Sequence, residues 1–382
     1  MTIKITKGFL LKSAKYKTNI MKNVALFVYD ITLTGGAEQV ALNMATEFSS
    51  NYNVHLISLF KAKAPIRNTP LYITSYLAGK PASITTHLTA YAQKLRTYLK
   101  QNNIDILFSI TAGVVTISTL AVSYTKIKHV YCEHSNLENR TYGKKHELRQ
   151  WIGAKFADKT VTLTERDRIN FIKQFKILPE HVCTIPNWVS FIPNEMISYN
   201  LNSNKIITAG RLETVKGHDL LLKVAEKVYR AHPDWHWDIY GEGTLRQQIQ
   251  DAISQSGLTD FISLKGNVNN LQELYPNYAM FILTSYYEGL PLVLLEAQNA
   301  NLPIVSFDCP TGPSEIVEDN INGYIIPTYD IDQMANAVNK LIETPELRKN
   351  FSDHATQKLT LFQKDSVVAM WFSLMKELIV NN

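Results

Sequence analysis

The sequence predicts an α/β fold of two doubly wound domains, each a parallel sheet with helices on both faces. Short β-rich runs alternate with helix-length amphipathic segments along the chain, which is typical of βαβ units. The strand candidates are continuously apolar, as in VALFVYDI at 24–31, and such runs indicate strands buried on both faces. The alternation stops at residues 185–204, where two prolines and several Asn and Ser residues indicate a linker.

The strand candidates divide between the two sides of this linker. Those of the first half are residues 24–31, 54–60, 105–110, 128–134 and 160–164. Those of the second half are residues 205–211, 237–243, 262–268, 280–286, 303–308 and 323–327. We therefore expect a first domain over residues 21–190, a second over 191–360, and a binding cleft between them, because ligands of such sheets bind beyond the carboxyl ends of the strands.

The two ends of the chain lie outside these domains. Residues 1–20 carry scattered basic residues and lack the apolar core and cleavage site of a signal peptide, so we expect a peripheral extension. No apolar run reaches the roughly 20 residues that a membrane-spanning helix needs. Residues 361–382 include an apolar helical segment with Trp371, which needs a surface to cover, and the first domain is the candidate.

Composition and charge restrict the class of protein. With 382 residues, of which 45% are hydrophobic and 19% charged, the chain is long enough for two globular domains. Its three cysteines lack the spacing of disulfide frameworks or zinc sites, which favours a reducing compartment. Residues 1–190 have a net charge of +14 and residues 191–382 one of −9. The basic half predicts an anionic partner. Since no nucleic-acid-reading motif accompanies it, an anionic membrane surface is the preferred partner and nucleic acid is not; the alternative is that the basic charge only serves solubility.

Three loops that follow predicted strands carry residues suited to an anion. Gly35 and Gly36 precede the helix AEQVALNMA. They either let backbone amides approach a ligand or form a plain tight turn. Arg211 and Lys216, after the strand KIITAG, suit a diphosphate, although loop cations are often only solvated. Gly241, in YGEG, either permits close approach of a ligand or serves a turn.

The segment SYYEGLPLVLLEAQ at 285–298 places two carboxylates in an apolar stretch. Glu288 precedes a predicted helix and Glu296 lies about one and a half turns inside it, so the two can hold different ends of one molecule. A capping role for Glu288 is the alternative. Pro291 is expected in the first turn, where its missing N–H is not needed. Backbone amides at this helix start would point into the cleft and accept phosphate or sugar oxygens; they belong to Leu290, Leu292 and Val293.

The motifs occur together in one order: GGAEQ at 35–39, EHSN at 133–136, AGRLETVKG at 209–217, GEG at 241–243 and YEGLPLVLLEA at 287–297. His134 would face the cleft from the first-domain wall as a hydrogen-bond donor or proton carrier, or it is structural. Together with GPSEIVEDNINGYIIP at 312–327, the series resembles the retaining family-4 glycosyltransferases of the GT-B fold, over about residues 22 to 345.

For the second domain, this resemblance implies binding of a nucleotide-sugar donor, with uridine the favoured base and no metal ion or other cofactor. Arg211 and Lys216 would hold the diphosphate and offset the charge on the leaving group. Glu296 would bind the ribose hydroxyls. Glu288 would contact a sugar hydroxyl beside the amides that begin at Gly289.

For the first domain, the resemblance implies that His134 touches the donor sugar and that Gly36 leaves room for the acceptor beside the diphosphate. Transfer would retain the anomeric configuration, with the leaving phosphate taking the acceptor proton. The basic first half fits a glycan or lipid-diphosphate-linked glycan acceptor. The expected setting is surface-polysaccharide synthesis in the cytoplasm, peripheral on the cytoplasmic face of the inner membrane.

Three alternative functions stay open. A retaining glycosidase needs two carboxylates that face each other across the bond to be cleaved. Here Glu288 lies before a predicted helix and Glu296 lies within the same helix. A sugar-nucleotide epimerase shares the two-domain plan but lacks the EGLPLVLLEA segment. A catalytically silent nucleotide-sugar-binding subunit of a transferase complex also fits, and failure to release nucleoside diphosphate with any acceptor would identify it.

Overall fold

The computed structural model describes residues 21–33, 36–61, 71–79, 82–138, 143–188 and 199–380. Three sequence predictions lie outside the described residues: the peripheral extension at 1–20, Gly35, and the domain boundary near residue 190. Within the described ranges, the chain forms two parallel sheets with helices on both faces. This arrangement confirms the predicted α/β class with two doubly wound sheets.

The first sheet has seven strands within the described residues, in the order β3-β2-β1-β4-β5-β6-β7. The strands are β1 (Asn23–Val28), β2 (Asn53–Ser58), β3 (Ile73–Tyr76), β4 (Ile106–Ile110), β5 (Lys128–Cys132), β6 (Lys159–Thr162) and β7 (Val182–Thr184). The helices are α1 (Gly36–Phe48), α2 (Ile84–Gln101), α3 (Ala112–Val122), α4 (Lys144–Phe156) and α5 (Glu165–Phe175). Every neighbouring pair of strands is parallel.

The strand β1 shows why continuous apolar runs identified the central strands. Val24 and Leu26 pack in one apolar cluster, which includes residues of α1, whereas Ala25 and Phe27 pack in a second cluster with residues of α2 and α3. The sequence prediction missed β3 and β7. Both are short edge strands with few buried residues, so they lack the apolar run by which a central strand is recognised.

The second sheet has six strands within the described residues, in the order β10-β9-β8-β11-β12-β13. They are β8 (Lys205–Ala209), β9 (His236–Tyr240), β10 (Ile262–Gly266), β11 (Met280–Leu283), β12 (Ile304–Phe307) and β13 (Gly323–Ile326). The accompanying helices are α6 (His218–Ala231), α7 (Arg246–Gln255), α8 (Leu292–Asn299), α9 (Pro313–Ile316), α10 (Ile331–Glu343) and α11 (Pro345–His354). All of these strand pairs are parallel.

The last helix, α12 (Lys364–Val380), returns to the first sheet. Its buried Trp371 meets Phe48 of α1 and Phe108 of β4, with ring centroids 6.0 and 5.8 Å apart. Apolar residues of α12 thus complete the core that α1 forms with one face of the first sheet. Among the helices of the described chain, none has both the length and the apolar character that crossing a bilayer requires.

Candidate functional site

The carboxyl ends of three strands of the second sheet bring the predicted donor-site loops together. Arg211 and Lys216 lie after β8, Gly241 directly after β9, and Glu288 between β11 and α8. Strands β8, β9 and β11 are neighbours in the sheet, so these loops open at the same edge. This is the edge at which open α/β sheets bind ligands.

An ion pair connects two of these loops. Lys216 Nζ lies 2.6 Å from Glu288 Oε1, and the two side chains are only 18% and 9% exposed. Ser285 Oγ donates to the same carboxylate oxygen at 2.6 Å. The alternative that Glu288 caps α8 has no support in these contacts, because its carboxylate binds Lys216 and Ser285.

The other predicted cation, Arg211, is exposed at the cleft. Its carbonyl accepts a hydrogen bond from His218 Nε2 at 3.3 Å, and burial lowers the pKa of His218. His218 is therefore a buried neutral residue that fixes the loop. Across the cleft, burial raises the pKa of Glu38 on α1, and the charge of Arg211 opposes this rise. Arg211 is thus near enough for its charge to act on Glu38, in the first turn of α1.

The N-terminus of α8 lies next to Glu288. Helix α8 begins at Leu292, with Pro291 directly before it rather than in its first turn as predicted. Helix geometry leaves the amides of Leu292 and Val293 without intrahelical acceptors. The side chain of Leu290 is buried in the apolar core with α8, so only its backbone is available to a ligand. The site roles of these residues stay predictions.

The second carboxylate, Glu296, is held by two residues that the sequence analysis did not select. Tyr275 Oη donates to Glu296 Oε2 at 3.2 Å, and Gln272 Nε2 lies 3.4 Å from Oε1. Burial raises the pKa of Glu296, while these two donors lower it. Tyr275 stands in the segment between β10 and β11, far from Glu296 in sequence, so no motif could have indicated this contact.

His134 follows β5 at the opposite wall. Both of its ring nitrogens are buried and have no hydrogen-bond partner among the described residues. Burial lowers its pKa to about 4, although the negative charge of Glu133 acts to raise this pKa. The imidazole is therefore neutral near pH 7. A neutral ring offers one donor and one acceptor, and a buried polar group of this kind normally has a partner.

The loop that carries His134 is anchored by Glu133, which the sequence analysis did not select. Its buried carboxylate accepts from Tyr131 Oη, from Ser135 N at 2.7 Å, and from Gln150 Nε2 of α4 at 3.0 Å. The available signal was the position of Glu133 beside His134 in EHSN. These bonds fix where the loop presents His134.

Asn136 and His134 join this loop to the second domain. Asn136 Nδ2 donates to the Glu288 carbonyl at 3.0 Å and lies 2.9 Å from Thr311 Oγ1. A Cβ added to Gly289 would lie 2.9 Å from the His134 carbonyl oxygen. The loops that carry His134 and Glu288, the residues predicted for the two walls of the cleft, are therefore in contact.

The predicted glycines differ in what surrounds them. Gly36 begins α1, and among the residues that the structure describes a Cβ there would meet nothing within 4 Å. Gly241 has φ = 134°, and a Cβ would collide with the Gly210 carbonyl. Gly241 is thus required by the approach of two loops, whether or not a ligand also lies there. The part of the chain that the structure describes contains no group of three or more His, Cys, Asp or Glu side chains arranged to hold a metal ion.

Two family models match the chain in succession. The model for Glycosyltransferase Family 4 matches residues 34–191, and the model for Glycosyl transferases group 1 matches residues 194–358. The chain belongs to the family-4 glycosyltransferases. An uncharacterized glycosyltransferase of Haemophilus influenzae is 28% identical over 92% of this chain and 99% of that protein. The amylovoran biosynthesis glycosyltransferase AmsD of Erwinia amylovora is 25% identical, with the same coverage of both chains.

Solved structures agree on the fold of this glycosyltransferase. A structure of an S. aureus TarM mutant in complex with Fondaparinux, alpha-GlcNAc-glycerol and UDP has a TM-score of 0.78. It is 18% identical and covers 93% of this chain and 99% of that one. At this identity the likeness concerns the fold, and it confirms the GT-B arrangement of two Rossmann-like domains that the resemblance implied.

Proposed function

We propose that this glycosyltransferase moves a sugar from a UDP-sugar to a glycan or lipid-diphosphate-linked glycan acceptor in bacterial surface-polysaccharide synthesis. The observation that carries the proposal is the meeting of Lys216 and Glu288 beside the N-terminus of α8. A cation and free amides suit a diphosphate, and a carboxylate suits sugar hydroxyls. The UDP in the TarM complex and the name of AmsD support the donor and the setting.

Each residue has a distinct part in this proposal. Lys216 and Arg211 hold the diphosphate and offset the negative charge that develops on it as the glycosidic bond breaks. Glu288, released from Lys216, accepts a hydroxyl of the donor sugar. Glu296, oriented by Tyr275 and Gln272, accepts the ribose hydroxyls. The support is that Arg211, Lys216 and Glu288 follow the carboxyl ends of neighbouring strands, and that Glu296 lies in the helix that comes after Glu288.

The first-domain wall completes the proposed site. His134 touches the donor sugar, because its neutral imidazole supplies a donor and an acceptor that the described residues do not use. Gly36 leaves space for the acceptor where α1 begins. We place the protein in the cytoplasm, peripheral on the cytoplasmic face of the inner membrane, where a lipid-diphosphate-linked acceptor is presented.

The proposed transfer retains the anomeric configuration and uses no metal ion, with the leaving phosphate taking the acceptor proton. The support is the resemblance to retaining family members and the presence of two cations, Arg211 and Lys216, in the loop after β8. NMR of the product anomer tests retention, and the transfer rate in excess EDTA tests metal independence. An inverted product or full loss of activity in EDTA would contradict these two points.

Thermal unfolding with a panel of nucleotide sugars tests the donor proposal. One UDP-sugar is expected to raise the melting temperature by about 2 °C or more at saturation, because it binds only the folded state. Glu296→Ala should weaken this shift. Glu343→Ala, on the exposed side of α10, should not. If no nucleotide sugar stabilises the wild-type protein, the donor proposal is wrong.

A further inference from the structure

The outward face of α4 is unusual for a soluble surface. Its exposed apolar residues are Leu148, Trp151 and Phe156, whose exposed fractions are 56%, 40% and 58%. At 100° per residue, Leu148 and Trp151 fall on one stripe with Lys144 and Lys155. We refer to the exposed residues of this helix as the α4 surface; they are Lys144, Lys145, Glu147, Leu148, Trp151, Lys155 and Phe156.

The apolar side chains of the α4 surface lie on the outside of the helix. The opposite face of α4 is the buried one, and it contains Gln150, Gly153 and Ala154. Gly153 lies directly against the ring of Tyr131, where a Cβ would collide. Trp151 and Phe156 instead contact each other edge to face, with centroids 5.8 Å apart. Two large aromatic side chains are therefore held in position on the outside of the protein.

Three of the four charged residues on the α4 surface are lysines, and the fourth is Glu147. Lys144 and Lys145 form no ion pair within the described part of the chain. Lys155 Nζ donates to the Lys176 carbonyl at 3.0 Å, which places it beside the basic C-terminal end of α5. The acidic residue of the first turn, Glu147, accepts a hydrogen bond from Gln174. The α4 surface thus combines apolar and cationic groups.

This combination indicates what covers the α4 surface. Helices with Leu, Trp or Phe beside Lys or Arg lie in the interface of bilayers, where aromatic rings reach the acyl boundary and cations meet lipid phosphates. A symmetric dimer through the same face would bring together two surfaces that each carry three lysines and one glutamate, and their net positive charges repel each other. The chemistry therefore favours an anionic lipid surface over a second copy of the chain.

We propose that the α4 surface binds an anionic lipid bilayer, with Leu148, Trp151 and Phe156 entering the boundary between headgroups and acyl chains. The inference deepens the proposed function and rests on it for the lipid-linked acceptor, since it names the surface that brings the site to that acceptor. Helix α4 also holds the His134 loop through the bond from Gln150 to Glu133. The helix that rests on the lipid therefore also positions one wall of the site.

Vesicle co-sedimentation of the full chain tests this proposal. One set of vesicles contains phosphatidylglycerol and phosphatidylethanolamine, and the other contains phosphatidylcholine alone. The wild-type protein should bind the anionic set, and binding should weaken as salt is raised, because exposed charges are screened. The combined variant Leu148→Ser, Trp151→Ser and Phe156→Ser should bind at least about tenfold more weakly.

A charge variant and a matched control separate the contribution of the lysines to vesicle binding from that of the apolar residues. Lys144→Glu with Lys145→Glu should remove the preference for anionic vesicles. The control is a triple serine variant at Leu361, Met370 and Val380, which are exposed apolar residues elsewhere, and it should bind as the wild type does. Each variant should keep the thermal shift with the nucleotide sugar, so failure here is distinguishable from failure of the donor proposal.

Three outcomes would overturn the inference. The first is a wild-type protein that sediments with neither set of vesicles. The second is equal loss of binding in the α4 and control variants. The third is an oligomer, measured by light scattering without lipid, that the α4 variant dissociates, because the surface would then bind protein.

Discussion

Lys216 Nζ and Glu288 Oε1 lie 2.6 Å apart and join the loop after β8 to the loop before α8. The sequence analysis assigned the cation to a diphosphate and the carboxylate to a sugar hydroxyl. The structure shows that the two groups neutralise each other at the same place. A donor that offers phosphate oxygens to Lys216 and a hydroxyl to Glu288 would replace one charge-assisted contact by two.

Replacing Glu288 by Gln is expected to reduce the transfer rate about 100-fold, because the sugar loses a charged acceptor and Lys216 loses its partner. UDP binding should be kept, since Lys216 remains free to bind phosphate. Steady-state kinetics and UDP calorimetry measure the two effects. Glu377→Gln is the control, because it breaks an ion pair with Lys159 remote from the site. Unchanged transfer in Glu288→Gln would contradict the assignment.

Replacing Tyr275 by Phe should raise the KM for the donor by about 3- to 10-fold and leave kcat nearly unchanged. The reason is that Glu296 loses one orienting hydrogen bond of ordinary strength. Tyr199→Phe removes a comparable half-buried hydrogen bond, to the Ala279 carbonyl, without touching Glu296. An equal change of KM in both variants would mean that the effect is on stability and not on the donor.

Replacing Gly36 by Ala should lower transfer several-fold while keeping the melting temperature. The added Cβ meets no atom of the rest of the described chain within 4 Å, so we expect its effect to fall on the acceptor that the space is proposed to admit. Gly79→Ala is the matched control, because a Cβ there also meets nothing within 4 Å in the described part of the chain. Full activity of Gly36→Ala at every acceptor concentration would remove Gly36 from the site.

Asp167 gives the protein a pH-dependent stability. Burial, followed by repulsion from Glu133, raises its pKa from 3.8 to about 8. Because the folded state holds this proton more tightly, the stability it contributes is present below about pH 4 and is lost as the pH rises through about 8. Asp167→Asn should therefore gain stability relative to the wild type as the pH rises, by about 1 kcal/mol or more at pH 8.5.

Urea unfolding at pH 6 and pH 8.5 measures this difference. The exposed Asp251→Asn should show the same pH dependence as the wild type, because its carboxylate lies on the outside of α7. If Asp167→Asn and the wild type lose stability equally between the two pH values, Asp167 is ionised in the folded protein.

Replacing Trp371 by Ala should lower the free energy of unfolding by about 3–5 kcal/mol, because the core under α1 loses a large buried ring. Met370→Ala, on the exposed side of the same helix, should change it by less than about 0.5 kcal/mol. Denaturant unfolding measures both. A small loss for Trp371→Ala would show that α12 adds little to the first-sheet core.

The central strands and the loops that follow them were predictable from the sequence. Continuous apolar runs identify strands such as β1 and β8, because both of their faces are buried. Arg211, Lys216 and Glu288 were found because each follows such a strand. The edge strands β3 and β7 were missed, since short edge strands bury little and carry no such pattern.

The residues that hold the site in place were beyond local sequence reasoning. Glu133 and Tyr275 act through partners that only the fold brings near, namely Gln150 on α4 and Glu296 on α8. Gly241 is a similar case, because a Cβ at this position would collide with the Gly210 carbonyl of the neighbouring loop. No spacing rule along the chain contains this information.

The sequence by itself determined the α/β class, the two-sheet plan and the loops that carry the candidate site, because hydrophobic periodicity and turn chemistry are local properties. The tertiary structure alone decided that Lys216 pairs with Glu288, 72 residues away, and that Asn136 meets the Glu288 carbonyl, 152 residues away. It also decided that Leu148, Trp151 and Phe156 face outward. Strand order and helix packing set these relationships, because both depend on the whole chain at once.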